Sequence, residues 1–285
     1  MIQSMTGYGK NVIQLASKKI TVEIKSLNSK NLDMNARVPG AYREKELEIR
    51  NRIAKSLVRG KVDFNLFVEI TGEETNTKVN QAVINEYISQ LAHVVDGDKT
   101  ELLKMAVRMP DALKTQREEI DADEFNQILN AVDTALVEIN SYRSSEGAAL
   151  KKEFEKRIEN ITSLLDQVIE IDPQRVDAVK ERLRKAVSEL KESVDENRFE
   201  QELIYYLEKY DITEEKVRLK NHLEYFIESL SSKDSNGKKL GFISQEIGRE
   251  INTIGSKANF APMQQIVVQM KDELEKIKEQ ALNVL

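Results

Sequence analysis

The chain has 285 residues, of which 40% are hydrophobic and 32% are charged, and its net charge at pH 7 is −6. This content is enough for two modest domains or one elongated body, and the high charge indicates long exposed helices. The chain has no cysteine, which excludes disulfides, thiolate metal sites and a cysteine nucleophile. It has only two histidines, so any metal must depend on carboxylates, which favours Mg²⁺ or Mn²⁺ over a structural zinc.

Neither a membrane span nor a secretory signal is evident in the sequence. No apolar run approaches the roughly 18 residues that cross a bilayer, and residues 1–10 lack the apolar region of a signal peptide. We therefore expect a cytoplasmic protein with no membrane partner. The negative net charge argues against a uniformly basic surface for nucleic acid, although local patches can still bind RNA or DNA.

The N-terminal part of the chain has the alternating pattern of β-strands. Residues 19–26, 32–38 and 61–70 each place an apolar side chain at every second position. The polar connection between the first two strands is typical of a hairpin, and residues 42–58 have apolar side chains at helical spacing. Residues 1–75 are therefore predicted to form an antiparallel sheet with a helix on one face.

Helical patterns dominate the rest of the chain. Residues 76–195 include two long charged helices, 148–171 and 175–192, which Pro173 is expected to separate into a long antiparallel arm. Residues 196–285 are predicted to form a C-terminal helical bundle. The predicted fold class is therefore α+β, with an N-terminal sheet and helix, a helical arm and a C-terminal bundle.

The segment 238–258 carries the densest chemical signal in the chain. As a helix it has one apolar stripe, and Glu246, Glu250 and Lys257 form a second row along the margin of that stripe. Carboxylates one turn apart at the edge of a core are costly unless they are paired or bind a metal. Most such pairs are structural, so this geometry alone makes a functional site the less frequent explanation.

Two neighbouring helices also direct polar side chains to the edge of an apolar stripe. His222 follows Arg218 by one turn on one helix, and Glu202 flanks the stripe of the other. If these residues converge with Glu246 and Glu250, they can bind a divalent metal and leave positions for water and a phosphate oxygen. The alternative is that all of them are exposed and paired with Arg or Lys neighbours, and both interpretations stay open at this point.

Basic residues lie where a phosphodiester would need them. Beside the acidic row, Lys257, Arg218 and Arg249 would stabilise a charged transition state or position the RNA backbone. A second group would guide a polyanion if it lined the inside of an oligomer, although such a run is usually a solvated face. Its members are Lys25, Lys30, Arg37, Arg59 and Lys61. The absence of P-loop and GxSxG motifs argues against nucleotide hydrolysis and serine hydrolase chemistry.

Ordered motifs run along the whole chain: SMTGYG (4–9), SLNSKNLD (26–33), RGKVDF (59–64), MPDAL (109–113), EGAAL (146–150), DENRFEQE (195–202), DITEEKVRLKNHL (211–223) and GKKLGFISQEIGREINTIGSKA (237–258). In order and spacing they resemble the YicC/YloC family of bacterial stress-induced endoribonucleases. The chain departs from the family pattern at Gly241 and Gly248, where the family usually has Asp and Asn, and also within SLNSKN (26–31) and at its C-terminal KEQALNVL (278–285).

The resemblance implies a metal-dependent endoribonuclease that favours Mn²⁺ over Mg²⁺ and assembles on RNA as a homo-oligomer, a hexamer. It implies an N-terminal assembly region, helical arms that form a basin around RNA, and a metal site on the C-terminal helices. The family's polar signature falls on the expected metal ligands Glu202, His222, Glu246 and Glu250. The expected catalytic residues are Glu246, Glu250, Lys257 and Arg218. The expected RNA contacts are Lys25, Lys30, Arg37, Arg59, Lys61 and Arg249.

Two other functions stay open, as does one expectation about motion. The chain could be an RNA-binding adaptor that presents RNA to other nucleases without cutting it, or a purely structural oligomer. Residues 144–147 loosen the helical pattern because glycine has a low helix preference. We expect a hinge there that closes the arms over RNA, so that Gly147→Ala would slow turnover more than it weakens assembly.

Overall fold

The computed structural model describes five stretches of the chain: residues 2–71, 77–115, 120–189, 196–232 and 236–285. The predicted α+β class is confirmed, since an N-terminal sheet is followed by one long helix and by a group of C-terminal helices. The expected domain boundaries near residues 75 and 195 lie outside the described stretches and stay predictions. No helix in these stretches is long and apolar enough to cross a membrane.

Four described strands form the N-terminal sheet: β1 (Gly7–Gln14), β2 (Lys18–Leu27), β3 (Leu32–Arg37) and β4 (Gly60–Ile70). Their order is β1-β2-β4-β3; β2 pairs antiparallel with β1 and with β4, whereas β3 pairs parallel with β4. The predicted hairpin between the strands at 19–26 and 32–38 is therefore wrong. A helix between β3 and β4 provides the crossover that parallel pairing requires, so β3 lies at the far edge of the sheet.

One face of this sheet is covered by two helices. A short 3-10 helix (Gly40–Lys45) leads into α1 (Glu46–Leu57), and α1 packs on the sheet together with the first part of α4 (Ala122–Glu189). The inward side chains of β2 and β4 are fully buried, as Val22 and Phe64 illustrate. The alternation that predicted the strands therefore also identified the face that forms the core.

A small unit separates the sheet from α4 in the chain. Its elements are β5 (Thr77–Val79), α2 (Gln81–Val94), α3 (Lys99–Ala106) and β6 (Leu113–Thr115). Strands β5 and β6 pair antiparallel, and the described core of the unit consists of Ile84, Ala106 and Ala112. This core is small, and several large apolar side chains of the unit are exposed.

Helix α4 runs without interruption from Ala122 to Glu189, with Pro173 inside it. The prediction that Pro173 separates two helices is therefore wrong. An interior proline costs a helix about 3 kcal/mol, and contacts on either side of Pro173 offset that cost. Asp172 pairs with Lys216 at 2.7 Å, and the buried Arg175 pairs with Asp172 at 2.7 Å.

The antiparallel arm exists, but its chain reversal lies later than predicted. Nη1 of Arg175 donates a hydrogen bond of 2.9 Å to the backbone oxygen of Tyr210, just beyond the end of α5 (Glu196–Lys209). Since α5 begins soon after α4 ends, this contact requires α5 to return along the last turns of α4. The arm therefore consists of the end of α4 and α5.

Three further helices complete the C-terminal bundle: α6 (Thr213–Leu230), α7 (Gly237–Lys257) and α8 (Ala261–Ala281). They enclose a core with the second half of α4, from Phe154 onward. A partly buried ion-pair network joins α4 to α8, in which Glu273 accepts from Arg157 at 3.2 Å, Asn160 at 2.8 Å and Lys276 at 3.1 Å. The same long helix thus contributes to both cores.

The N-terminal and C-terminal segments meet around Arg143 in the middle of α4. This guanidinium is buried, and burial lowers the pKa of Arg143. It donates hydrogen bonds to four backbone oxygens: those of Ser4, Met5, Leu57 and Arg59. Arg59 in turn donates to the backbone oxygen of Val284 at 3.0 Å, which joins the sheet to the segment after α8.

Glu273 should make stability sensitive to acid. Burial alone would raise the pKa of Glu273, but hydrogen bonds from Asn160, Lys276 and Arg157 outweigh this effect and lower the pKa to about 2. A lowered native pKa gives stability that is fully present above about pH 4.5 and is lost as pH falls toward 2. We therefore expect wild type to lose about 2 kcal/mol more free energy of unfolding over this interval than Glu273→Gln. Urea unfolding at several pH values measures this difference. The exposed Glu275→Gln is the control, and equal pH dependence of wild type and Glu273→Gln would refute the assignment.

The expected hinge at residues 144–147 is wrong in its structural basis, because these residues are helical and Gly147 is buried. A Cβ added to Gly147 would lie 2.2 Å from the backbone oxygen of Ile2. Glycine at this position therefore permits the N-terminal segment to pack directly on α4.

We expect Gly147→Ala to lower the free energy of unfolding by about 1–3 kcal/mol, because the new methyl group must displace backbone. Gly241→Ala is the matched control: this position is also helical, but its Cβ would meet nothing within 4 Å. There, alanine should raise the free energy of unfolding by about 0.5–1 kcal/mol. Urea unfolding followed by circular dichroism compares the two variants, and stabilisation by both would contradict the close approach at Gly147.

Candidate functional site

Helices α6 and α7 lie antiparallel, and an ion pair joins the start of one to the end of the other. Nζ of Lys257 lies 2.7 Å from Oε1 of Glu215 and donates a second hydrogen bond of 2.9 Å to the backbone oxygen of Asp211. Asp211 itself accepts from the backbone N–H and the hydroxyl of Thr213, which holds the start of α6 in place. The Lys257 ammonium is therefore fixed by two acceptors from a different part of the chain.

This ion pair sets the register of two predicted site residues. His222 lies two turns after Glu215 on α6, and Glu250 lies two turns before Lys257 on α7. Two turns keep a residue on the same helix face and advance it by about 10 Å. Because the helices run in opposite directions, His222 and Glu250 lie at the same level on neighbouring faces. His222 is half-buried, and Glu250 is 5% exposed.

Glu215 is a candidate functional residue that the sequence did not single out. It is 6% exposed, and its Oε2 is buried with no hydrogen-bond partner among the described residues. An unpaired carboxylate oxygen in such a place costs free energy unless a water or an ion satisfies it. The sequence did place Glu215 one turn before Leu219 and two turns before His222, on the stripe of α6 that the structure shows to be buried.

The remaining residues of the predicted catalytic set are more exposed. Glu246 lies one turn before Glu250 and pairs with Arg249 at 3.1 Å. Arg218 pairs with Glu214 at 2.5 Å. Both arginine side chains are mostly exposed. Exposed pairs of this kind contribute little stability, so each arginine can exchange its partner for a phosphate at small cost.

Glu202 is exposed on α5, and the structure does not bring all four predicted metal ligands together. Across the described stretches, no group of three or more His, Cys, Asp and Glu side chains is arranged to hold a metal ion. The structure therefore places His222 and Glu250 at one level, with Glu246 one turn away.

Five of the six predicted RNA contacts lie in the N-terminal part of the chain, and four of these five are exposed. Lys25, Arg37 and Lys61 alternate with core-facing residues, so they lie on the outer face of the sheet, and Lys30 precedes β3. Nζ of Lys25 lies 5.5 Å from the centre of the Tyr8 ring. Arg59 is instead occupied by the structural hydrogen bond to Val284.

The two glycines that depart from the family pattern have different surroundings. A Cβ at Gly248 would lie 3.2 Å from Leu274 of α8, whereas Gly241 is open. Gly248 is buried toward α8 and is not on the face that carries Glu246 and Glu250. Gly248 therefore contributes to packing between α7 and α8.

Two family models match the chain. Residues 2–152 match the model described as "Endoribonuclease YicC-like, N-terminal region", and residues 168–285 match "Endoribonuclease YicC-like, C-terminal". Both descriptions place the chain in the class of endoribonucleases, enzymes that cut RNA internally.

Two relatives are similar over the full length of both chains, and each is named "Probable endoribonuclease YicC". The protein of Clostridioides difficile (strain 630) is 33% identical over 293 residues, and that of Haemophilus influenzae is 28% identical over 288 residues. The chain belongs to the family of YicC-like endoribonucleases. The resemblance that the motifs indicated is thereby confirmed.

The Glu215–Lys257 pair should show a coupling energy that surface pairs lack. Glu215→Gln and Lys257→Met each leave one partner unsatisfied, so each should lower the free energy of unfolding by about 1–3 kcal/mol. The double variant should lose about 1 kcal/mol less than the sum of the two. Urea unfolding of all four proteins measures this cycle. The exposed pair Glu101–Lys104 is the control, with an expected coupling below about 0.5 kcal/mol. Equal coupling in both cycles would contradict the structural importance of the buried pair.

Proposed function

We propose that the chain is a metal-dependent endoribonuclease whose reaction centre lies between α6 and α7. The observation that carries this proposal is the placement of His222 and Glu250 at one level, two turns from the Glu215–Lys257 pair that sets the register of the two helices. Acids, an imidazole and a fixed ammonium are the groups that hydrolysis of a phosphodiester needs. Their positions on two packed helices, in a member of an endoribonuclease family, support a site along this pair of helices.

The donor chemistry fits a divalent cation of the Mn²⁺ or Mg²⁺ type. His222, Glu250 and Glu246 would hold it after their side chains turn toward one position, because in the structure these three side chains are not arranged around a common point. Water, RNA phosphate oxygens or Glu202 would complete the coordination. When bound, such a metal lowers the pKa of bound water and neutralises charge on the phosphodiester.

The chain's own residues have separate roles in this proposal. Lys257, held by Glu215 and the oxygen of Asp211, lies about 10 Å along the helices from His222 and Glu250, so its ammonium would bind a neighbouring phosphate and position the RNA backbone. A neutral imidazole is a common ligand of divalent metals, which suits His222 to hold the cation through one ring nitrogen. Arg218 and Arg249 would leave their exposed partners to position the RNA backbone.

We further propose that the chain acts as a hexamer in which RNA follows the basic residues of the sheet. The support is the exposure of Lys25, Lys30, Arg37 and Lys61, in or beside the outer face of the sheet. Salt-dependent binding would follow, because each neutralised phosphate releases counterions.

A second candidate is an RNA-binding adaptor that does not cut. The observation that favours it is the absence, among the described residues, of three acidic or histidine side chains arranged around one metal position. In that case His222 and Glu250 would be structural, and RNA binding would not respond to chelation.

Cleavage of a labelled RNA hairpin distinguishes these candidates. With Mn²⁺ or Mg²⁺ we expect cuts that EDTA abolishes, and a loss of at least about 100-fold in Glu250→Gln and His222→Asn, because each removes a group from the reaction centre. Circular dichroism confirms that both variants fold. Glu275→Gln on the exposed face of α8 is the control and should cut within twofold of wild type. Binding without cuts in every metal would favour the adaptor.

A further inference from the structure

Helices α6 and α7 expose two aromatic side chains on one side of the proposed reaction centre. Phe242 of α7 is 68% exposed, and Tyr225 of α6 is 46% exposed. Nζ of Lys239 lies 4.5 Å from the centre of the Tyr225 ring, a cation–π distance. Neither ring contributes to the buried core of the bundle, so packing within this core does not explain them.

The position of these rings relative to the site follows from the antiparallel helices. Tyr225 lies one turn after His222 on α6, and Phe242 lies one turn before Glu246 and two turns before Glu250 on α7. These two displacements point in the same direction because α6 and α7 run in opposite directions. Both rings therefore lie on the same side of the centre, about 5–12 Å along the helix axes. Stacked nucleotides rise about 3.4 Å each, so this distance corresponds to a few nucleotides.

The charge on this side of α7 suits a polyanion. Between Gly237 and Arg249 the helix carries the cations Lys238, Lys239 and Arg249 and the single acid Glu246, which pairs with Arg249. The acids Glu224 and Glu228 lie next to Tyr225 on α6, so the positive potential is concentrated on α7. A nucleic acid would place its phosphates along α7 and its bases toward the rings.

We propose that Tyr225 and Phe242 form a base-stacking subsite for single-stranded RNA, with Lys239 beside it. This inference rests on the proposed endoribonuclease function and adds to it a preference for unpaired nucleotides on one side of the cut. Stacking on a side chain requires a base that is not already stacked in a duplex. The subsite therefore recognises unpaired bases irrespective of their identity, because every base has a π-face.

The test measures binding, which does not depend on cleavage. Fluorescence anisotropy of a labelled single-stranded RNA in EDTA gives Kd for wild type, Phe242→Leu, Tyr225→Leu and the double variant. Each single change should raise Kd about tenfold, equivalent to about 1.4 kcal/mol. Tyr142→Leu is the matched control: this tyrosine of α4 is 53% exposed but lies outside the subsite, so Kd should stay within twofold.

Abasic RNA identifies the contact itself. In wild type, removal of one base at a defined position should raise Kd, and in Phe242→Leu the same removal should have no further effect. Duplex RNA should bind wild type and variant equally. Equal weakening on every RNA, abasic and duplex included, would overturn the subsite, as would no binding by wild type in EDTA, since stacking needs no metal.

The outcomes also separate this inference from the proposed function. A base-dependent effect of Phe242→Leu in a chain that never cuts RNA would support the subsite and reject the nuclease. Metal-dependent cuts with unchanged binding in the variants would retain the nuclease and reject the subsite. A shift in oligomeric state of the variants by sedimentation, with RNA binding unchanged, would identify the rings as a contact between copies and overturn the proposal.

Discussion

The buried guanidinium of Arg143 constrains the structure more than any other group. A charge in the interior is costly unless its N–H groups are satisfied, and here four backbone oxygens satisfy them. These oxygens belong to the N-terminal segment and to the turn between α1 and β4, so both must reach α4 before the charge is stabilised. Arg59 and Val284 extend the same arrangement to the end of α8. Sheet and bundle are thus joined by these hydrogen bonds and by α4, which contributes to both cores.

The side chains of the candidate centre are positioned by helices that are themselves held by contacts with other elements. Lys257 is oriented by acceptors from the start of α6, and α8 is fixed to α4 by the network around Glu273. Packed helices keep the side chains of such a site in place better than loops do. The exposed arginines are the exception, and their weak surface pairs allow them to move toward a phosphate.

Local patterns predicted β2, β3, β4 and the polar row of α7 but not β1, because alternation and helical spacing depend on residues close in sequence and β1 has no such alternation of apolar residues. They failed where contacts between residues distant in sequence determine the structure. The crossover helix gives β3 a parallel partner, and the ion pairs around Asp172 keep α4 helical at Pro173. The close approach of the Ile2 backbone explains why position 147 is glycine. Glu215 was missed because its importance appears only when Lys257 reaches it from the end of α7. Glu202 was predicted as a metal ligand but is exposed on α5, because a helical pattern does not show which neighbouring helix an exposed acidic side chain approaches.

The continuity of α4 has a consequence for how the length of this chain can vary. Its first half packs on the sheet and its second half, from Phe154, forms the core of the bundle. One residue inserted between Arg143 and Phe154 would rotate one core against the other by about 100° and shift it by about 1.5 Å. Backbone contacts on both sides would then lose their register. Insertions and deletions are therefore expected only in the connections between elements, because the helical interval from Arg143 to Phe154 fixes the distance and the rotation between the two cores.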